Sequence, residues 1–370
     1  MSFKTKVTED EVFGKIVLKQ YDLDDTCNFD KDKFICQMPF NNTEVKGNGD
    51  VYICCPEWNP MVIGNLLQDD LKTIWTGKKA NAIRQSMVDK SFRYCNHRTC
   101  PAMLAGHAPH IKHREIFEDP KLNYPNRMSF SIDDTCNLEC PSCRVRKILT
   151  TTDFVKTSSL RVMKNVFDTI FEVPHEDYVY LTIDGAGEIF HSALYRELFE
   201  NTPQFKDLEN WPNVKFVLCT NGTMMTPKIQ NKYHYIFDRT ISYRFSIDAG
   251  NEQSYNIVRK GGDWNMLWDN IDYLYEKRVW SERVNWAFNL ILQKDNYQSL
   301  PELVEIANTY VDNKPEIYIT NILHWSHDIM SDEEFADKAV WQKSHPEHEK
   351  MKEVLNLPEV KNFWNILKPF

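Results

Sequence analysis

From residue 127 onward the chain alternates between short strand-like runs and helix-like segments, and this alternation constrains its fold more than any other feature. Residues 127–133 (RMSFSID) alternate as a strand does. Residues 178–183, 215–219, 241–247, 284–292 and 317–323 repeat that apolar, β-forming character. Helix-like segments run between them over 158–172, 192–200, 265–276 and 300–310. Strands alternating with helices make βαβ units, whose crossovers lay neighbouring strands parallel. About 245 residues of this texture suit a barrel or a partial barrel. Residues 1–105 read differently, as a loop-rich module with strand-like pieces such as 49–53 and one helical stretch near 68–90. Residues 106–126, polar and proline-containing, read as a connection.

The cysteines are the second constraint. Ten occur in 370 residues, at 27, 36, 54, 55, 95, 100, 136, 140, 143 and 219. A secreted disulfide framework fits poorly, because the chain is large and its cysteines are clustered. Clustered thiolates in a reducing compartment hold a metal or a cluster. One group is tight, Cys136-x3-Cys140-x2-Cys143, directly after the strand-like 127–133. Three thiolates so close wrap one inorganic core and leave an iron of a four-iron cluster without a protein ligand. The alternative is a structural zinc completed by a distant ligand.

Composition narrows the classes further. Apolar residues at 42% and aromatics at 13% exclude global disorder. A net charge of −9 argues against a general nucleic-acid binder, which would have to overcome its own field near phosphates. No apolar run approaches the ~18 residues a membrane span needs. The start, MSFKTKVTEDEVFGK, shows no signal-peptide core. The expectation is a cytoplasmic protein without membrane partners.

The tight triplet has the spacing that marks the radical SAM superfamily, and the segments after it resemble that superfamily in turn. Asp184-Gly185-Ala186-Gly187-Glu188 follows the second strand and resembles the family's glycine–glutamate motif. The resemblance implies that Gly185, Ala186, Gly187 and Glu188 hold the methionyl ammonium of S-adenosylmethionine. Glycines let backbone approach closely, and a carboxylate suits an ammonium. Thr220-Asn221-Gly222 closes the third strand and Ser246-Ile247-Asp248 the fourth, both similar to family turns. The stretch 251–270, with Arg259-Lys-Gly-Gly262, and Gln293–Asn296 after the fifth strand continue the likeness. These polar motifs all fall at carboxyl ends of strands, the face where such barrels carry their active sites. Two departures stand out. Ser142 replaces the aromatic usual before the third cysteine, leaving a backbone contact to adenine, and Ile189 replaces the commoner proline.

The first hundred residues resemble the SPASM/twitch module. Cys36-x12-Gly49-x4-Cys54 leads to Ile63-Gly64-Asn65, Ile74-Trp75 and Cys95-x4-Cys100. A full module has more cysteines than this chain offers, so the resemblance implies one auxiliary four-iron cluster on Cys36, Cys54, Cys95 and Cys100. Cys55 is the alternative to Cys54, Cys27 is spare, and a four-cysteine zinc site is the competing reading. The module precedes the barrel, whereas in the family it normally follows.

Taken together, the expectation is an α/β protein, a partial (β/α)6 TIM-type barrel at 127–370 with a C-terminal helical extension. A small loop-rich α+β cluster module at 1–105 precedes it. The resemblance implies [4Fe-4S] clusters and S-adenosylmethionine as cofactors, with Ser142, Thr220, Asn221, Ser246, Asp248 and Arg259 on the cofactor. Reductive cleavage would yield a 5′-deoxyadenosyl radical that takes hydrogen from a substrate. Expected partners are a peptide or small-molecule substrate and a reductant such as flavodoxin or ferredoxin. The competing class is an electron-transfer or sensor protein without turnover; the cofactor-like turns at 185–188 and 246–248 argue against it. Three further readings are weighed. Cys219 reads as a core cysteine, and Asp248 as a ribose contact or a strand-end structural carboxylate. Arg259 reads as a cofactor-facing cation or a surface ion pair. His107, His110 and His113 read as solvated, and Trp58, Trp264, Trp268 and Trp325 as core or cavity lining.

Overall fold

The computed structural model describes residues 4–20, 36–96, 100, 124–172, 175, 177–184, 186–278, 284–324 and 328–363. Strands β1 (Lys4–Asp10) and β2 (Gly14–Gln20) form an antiparallel hairpin that the sequence pattern does not announce. All other described strands belong to one nine-stranded sheet. These are β3 (Asn42–Lys46), β4 (Asp50–Tyr52), β5 (Val62–Asn65), β6 (Arg127–Ser131), β7 (Val179–Ile183), β8 (Val214–Thr220), β9 (Thr240–Ser246), β10 (Asn285–Leu292) and β11 (Glu316–Asn321).

Strands β6 to β11 lie side by side in chain order, each parallel to the next. The six strand-like runs of the sequence all form strands, with ends displaced by a residue or two. Strand β3 pairs parallel to β6, and β4 and β5 follow antiparallel, so the first module extends the same sheet. The sheet is open, with β11 and β5 at its two sides. The helical stretch expected near 68–90 is two helices, α1 (Leu71–Thr76) and α2 (Lys78–Val88), because Gly77 between them is extended.

The two faces of the sheet differ. Parallel strands covered on both faces read as continuous apolar runs; here they alternate. Tyr243 and Phe245 point to a dry face and stack on Trp286, while Ser242, Arg244 and Ser246 point to the other. Helix α3 (Asp153–Ile170) covers part of the dry face with Val162, Met163, Val166, Phe167 and Ile170, spaced for one helical side. Thr152 caps it, accepting from the Val155 amide at 3.3 Å. Phe167 packs edge-on against Phe130 and Phe205.

Helix α3 also fastens the two parts of the chain. The Ser159 hydroxyl bridges the carbonyls of Gly47 and Ile132, at 3.2 and 3.3 Å. Asn165 donates to the carbonyls of Leu66 and Asp69, both at 3.0 Å. Within the first module, buried Arg84 donates to the carbonyls of Pro39 (2.9 Å) and Trp75 (2.8 Å) and lies over the Trp75 ring. Among the described residues no helix is long and apolar enough to cross a membrane.

Candidate functional site

The loop leaving β6 carries the tight cysteine triplet. Cys136 and Cys140 are buried and Cys143 is exposed. The Cys136 amide donates to the Ile148 carbonyl at 2.8 Å, and the amides of Cys143 and Arg144 close a turn on the Cys140 carbonyl. Each sulfur has a donor facing it. Asn221 Nδ2 approaches Cys136 Sγ at 3.9 Å, Arg259 Nη1 approaches Cys140 Sγ at 3.6 Å, and Arg144 Nη2 approaches Cys143 Sγ at 3.6 Å. Burial pushes the Cys136 and Cys140 thiols up, and Arg144 and Arg259 pull them back. Cationic and amide donors around sulfur suit thiolates that carry negative charge onto a cluster. Among the described residues no three His, Cys, Asp or Glu side chains converge as one metal ion requires. A four-iron core is wider than an ion, so its thiolates stand farther apart. The donor set fits such a core.

The loop after β7 packs directly on this one. A Cβ on Gly187 would stand 2.2 Å from the Thr135 carbonyl oxygen, so only glycine permits the approach. The Glu188 amide then donates to that same oxygen at 2.7 Å. Glu188 is buried, and its carboxylate spans to the end of β8. One oxygen accepts from the Thr220 hydroxyl (2.7 Å) and the Phe190 amide (3.2 Å), the other from the Asn221 amide (2.7 Å). Burial raises its carboxyl, and these donors and Arg259 oppose that rise. A carboxylate offers about four acceptor directions; three are engaged, leaving one for a further donor. Gly185 lies outside the described residues. Ala186 accepts from Arg144, which links this loop to Cys143.

Behind both loops, Asp133 accepts from Thr135 (2.9 Å) and from Ser192. Ser192 also caps the helix Ala193–Asn201 by accepting from the Tyr195 amide at 3.1 Å. At β8, Thr220 and Asn221 are buried, and Asn221 Nδ2 donates to Asn137 Oδ1 at 3.0 Å. The turn needs Gly222 at φ +77°, with the Leu267 side chain 2.5 Å from where a Cβ would stand.

At the end of β9, Ser246 is half-buried and Asp248 is fully enclosed at φ +61°. Asp248 pairs with Arg259 at 2.8 Å and accepts from the Ile291 amide at 2.8 Å. The pair is buried, which overturns the reading of Arg259 as a surface ion pair. Its position is structural on the Asp248 side and sulfur-facing on the Cys140 side. Ser142 is buried beside Cys143. Cys219, read as a core residue, is half-buried on the polar sheet face with Arg244 as its register partner, because the strand alternation turns it away from the dry side.

In the first module, the structure brings Cys36, Cys54, Cys95 and Cys100 together. Burial raises all of the first three thiols, and each is raised further by others of the group. Asn59 Nδ2 faces Cys95 Sγ at 3.9 Å. The Cys55 thiol, pushed up to about 11 by burial, has Glu44, Glu57 and Lys46 around it instead. Cys27, His107, His110, His113 and Trp325 lie outside the described residues. Trp58, Trp264 and Trp268 pack against the main core. Sequence reasoning does not find Arg144, Asn137 and Asp133; their only signal is proximity to the triplet.

Residues 36–101 match the family model described as SPASM, an iron-sulfur cluster-binding domain. No curated protein matches the sequence. Among solved structures, the chain is similar to one described as histidine-tagged anSMEcpe with bound AdoMet, at 16% identity and a TM-score of 0.38. That similarity covers 53% of this chain and 51% of the other, so the chain spans about half the length of that structure. The SPASM match takes in all four gathered cysteines, Cys36, Cys54, Cys95 and Cys100, and the module they belong to is similar to an iron-sulfur cluster-binding domain.

Proposed function

We propose that the chain is a radical SAM enzyme. Its six parallel strands would form a partial (β/α)6 barrel at 127–370, preceded by a cluster-binding module at 1–105 and a connection at 106–126. The observation that carries this reading is the meeting of the Cys136–Cys143 loop, the Gly187–Glu188 loop and the Thr220–Asn221 turn at the carboxyl ends of β6, β7 and β8. The chain order of the six strands supports the barrel. Cys136, Cys140 and Cys143 would hold a [4Fe-4S] cluster, and Cys36, Cys54, Cys95 and Cys100 a second.

When bound, a cluster with one open iron supplies reductive cleavage of S-adenosylmethionine and, through it, hydrogen abstraction from a substrate. The chain's own part is holding and shielding. Arg144, Arg259 and Asn221 offset charge on the three sulfurs. Glu188, fixed by Thr220 and Asn221, keeps an acceptor direction for an ammonium. Ser142, beside Cys143, and Ser246, at the end of β9, would face the cofactor, and Asp248 keeps Arg259 aimed at Cys140. The substrate is read as a peptide or protein, which the SPASM-like module favours, with a small metabolite as the second reading. A flavodoxin- or ferredoxin-type reductant and a cytoplasmic setting complete the proposal.

The test is 5′-deoxyadenosine formation by protein reconstituted anaerobically with iron and sulfide, given S-adenosylmethionine and dithionite. The triple Cys136→Ala/Cys140→Ala/Cys143→Ala variant is the control. Product that depends on the cysteines supports the reading. A fully iron-loaded protein that binds S-adenosylmethionine no better than the triple variant refutes it.

A further inference from the structure

The polar face of the sheet has a charge that the cofactor machinery leaves unused. Arg244 sits on β9, with strands on both sides, yet it is exposed while its neighbours Tyr243 and Phe245 are buried. Among the described residues nothing shuts this mid-sheet guanidinium off from solvent. The row across the sheet runs Cys219–Arg244–Ala287–Glu316. Ala287, the next residue in that row, is buried and carries no group that could pair with the guanidinium. Asp184, one residue past β7, belongs to the same surround, since Arg244 and Lys46, at the end of β3, both act to lower its carboxyl.

The surrounding groups do little to neutralise Arg244. Among the described residues no carboxylate stands within ion-pair distance of it. Glu44 is occupied by Lys46. Glu316, two strands away, accepts from Asn285 at 3.3 Å and from Tyr318. The near partner of Arg244 is the Cys219 thiol, which burial and then Asp184 push up to about 12, so it is neutral at physiological pH. Burial and Glu44 push the Asp184 carboxyl up to about 7. A guanidinium has five donors in a planar fork that matches an oxyanion, and here its protein partners are neutral or half-neutral.

We propose that Arg244 is the specificity-determining residue of a ligand site on this face and binds an oxyanion, carboxylate or phosphate, of the substrate. Calling that ligand the substrate rests on the radical SAM reading; the oxyanion site itself does not. Cys219, Asp184 and Tyr318 border the site, and the upper ends of β7, β8 and β9 join it to the Glu188 region.

Reconstituted protein would be melted in sodium phosphate and, separately, sodium acetate, each titrated at constant ionic strength with sodium chloride. Anion exclusion raises the melting temperature without saturating, whereas a site gives a saturating rise. Wild type is expected to saturate with one anion more tightly than the other, which distinguishes phosphate from carboxylate. Arg244→Gln is expected to weaken the saturating response at least tenfold, Arg244→Lys less, and Lys232→Gln on the far surface not at all. Since Arg244 is exposed, its variants should fold; far-ultraviolet circular dichroism checks this. A wild type with no saturating response, or an Arg244→Gln response equal to wild type, overturns the site. A saturating response lost in Arg244→Gln, from an iron-loaded protein that binds S-adenosylmethionine no better than the triple cysteine variant, overturns the radical SAM reading and leaves the site standing.

Discussion

Gly187→Ala is the sharpest perturbation the structure offers. The new methyl carbon would lie 2.2 Å from the Thr135 oxygen, 2.8 Å from the Asp134 carbonyl carbon and 2.9 Å from the Asp133 oxygen, all backbone atoms. Ordinary carbon contacts need about 3.5 Å, so the two loops must part by roughly 1 Å. The Glu188 amide bond to Thr135, now 2.7 Å, would then exceed hydrogen-bond range. Overpacking costs about 1–3 kcal/mol and the lost bond about 1 kcal/mol more, together about 2–4 kcal/mol of local stability. At one decade per 1.4 kcal/mol, exchange of the Glu188 amide hydrogen should speed roughly 30- to 700-fold. Hydrogen exchange read by NMR or mass spectrometry measures this, with the Leu218 amide in mid-sheet as the internal reference. Acceleration below threefold at Glu188 in a folded protein would refute the claim that this glycine holds the two loops together.

Other outcomes follow from the same geometry. Breaking the buried Arg259–Asp248 pair by Arg259→Met or Asp248→Asn should cost about 3–5 kcal/mol, read as a lower denaturation midpoint. The double variant should recover part of that loss. Asp184 has a carboxyl raised from 3.8 to about 7, so the folded state holds its proton where the unfolded state has released it. That contribution to stability therefore falls as pH rises through that window, and Asp184→Asn should flatten the decline in urea titrations at pH 4 to 7. Oxyanion binding at Arg244 should weaken across the upper part of the same range, as a charged Asp184 competes for the guanidinium; phosphate titrations against pH report it. If Cys36, Cys54, Cys95 and Cys100 hold a cluster as proposed, iron analysis should show its loss in Cys54→Ser but not in Cys55→Ser.

Much of this is legible in the sequence because strands and turns are written locally. The runs at 215–219 and 241–247 carry β-forming residues between turn signals, and each forms a strand within a residue or two. The triplet's spacing and the glycine-to-glutamate turn are visible for the same reason. What local patterns do not carry is pairing between distant segments. Nothing in KFVLC says that Cys219 faces Arg244; that follows from strand register. Likewise Ser159 and Asn165 look like ordinary polar positions on an amphipathic helix, and only the fold reveals that they grip Gly47, Leu66 and Asp69. The helix break at Gly77 escapes a sequence reading because the apolar spacing continues across it.

The pairing of β3 with β6 has a consequence for handling the protein. Without residues 42–46, the first strand of the parallel set would present a row of free amides and carbonyls to solvent. Such a border is a template for another chain. The cysteine-rich segment thus acts as a guard rail for the larger half, beyond any part it plays in electron flow. Cutting the chain near residue 105 to isolate the second half is accordingly expected to yield a sticky, self-associating fragment. Variants that empty the first cysteine group should be judged for aggregation before they are judged for chemistry.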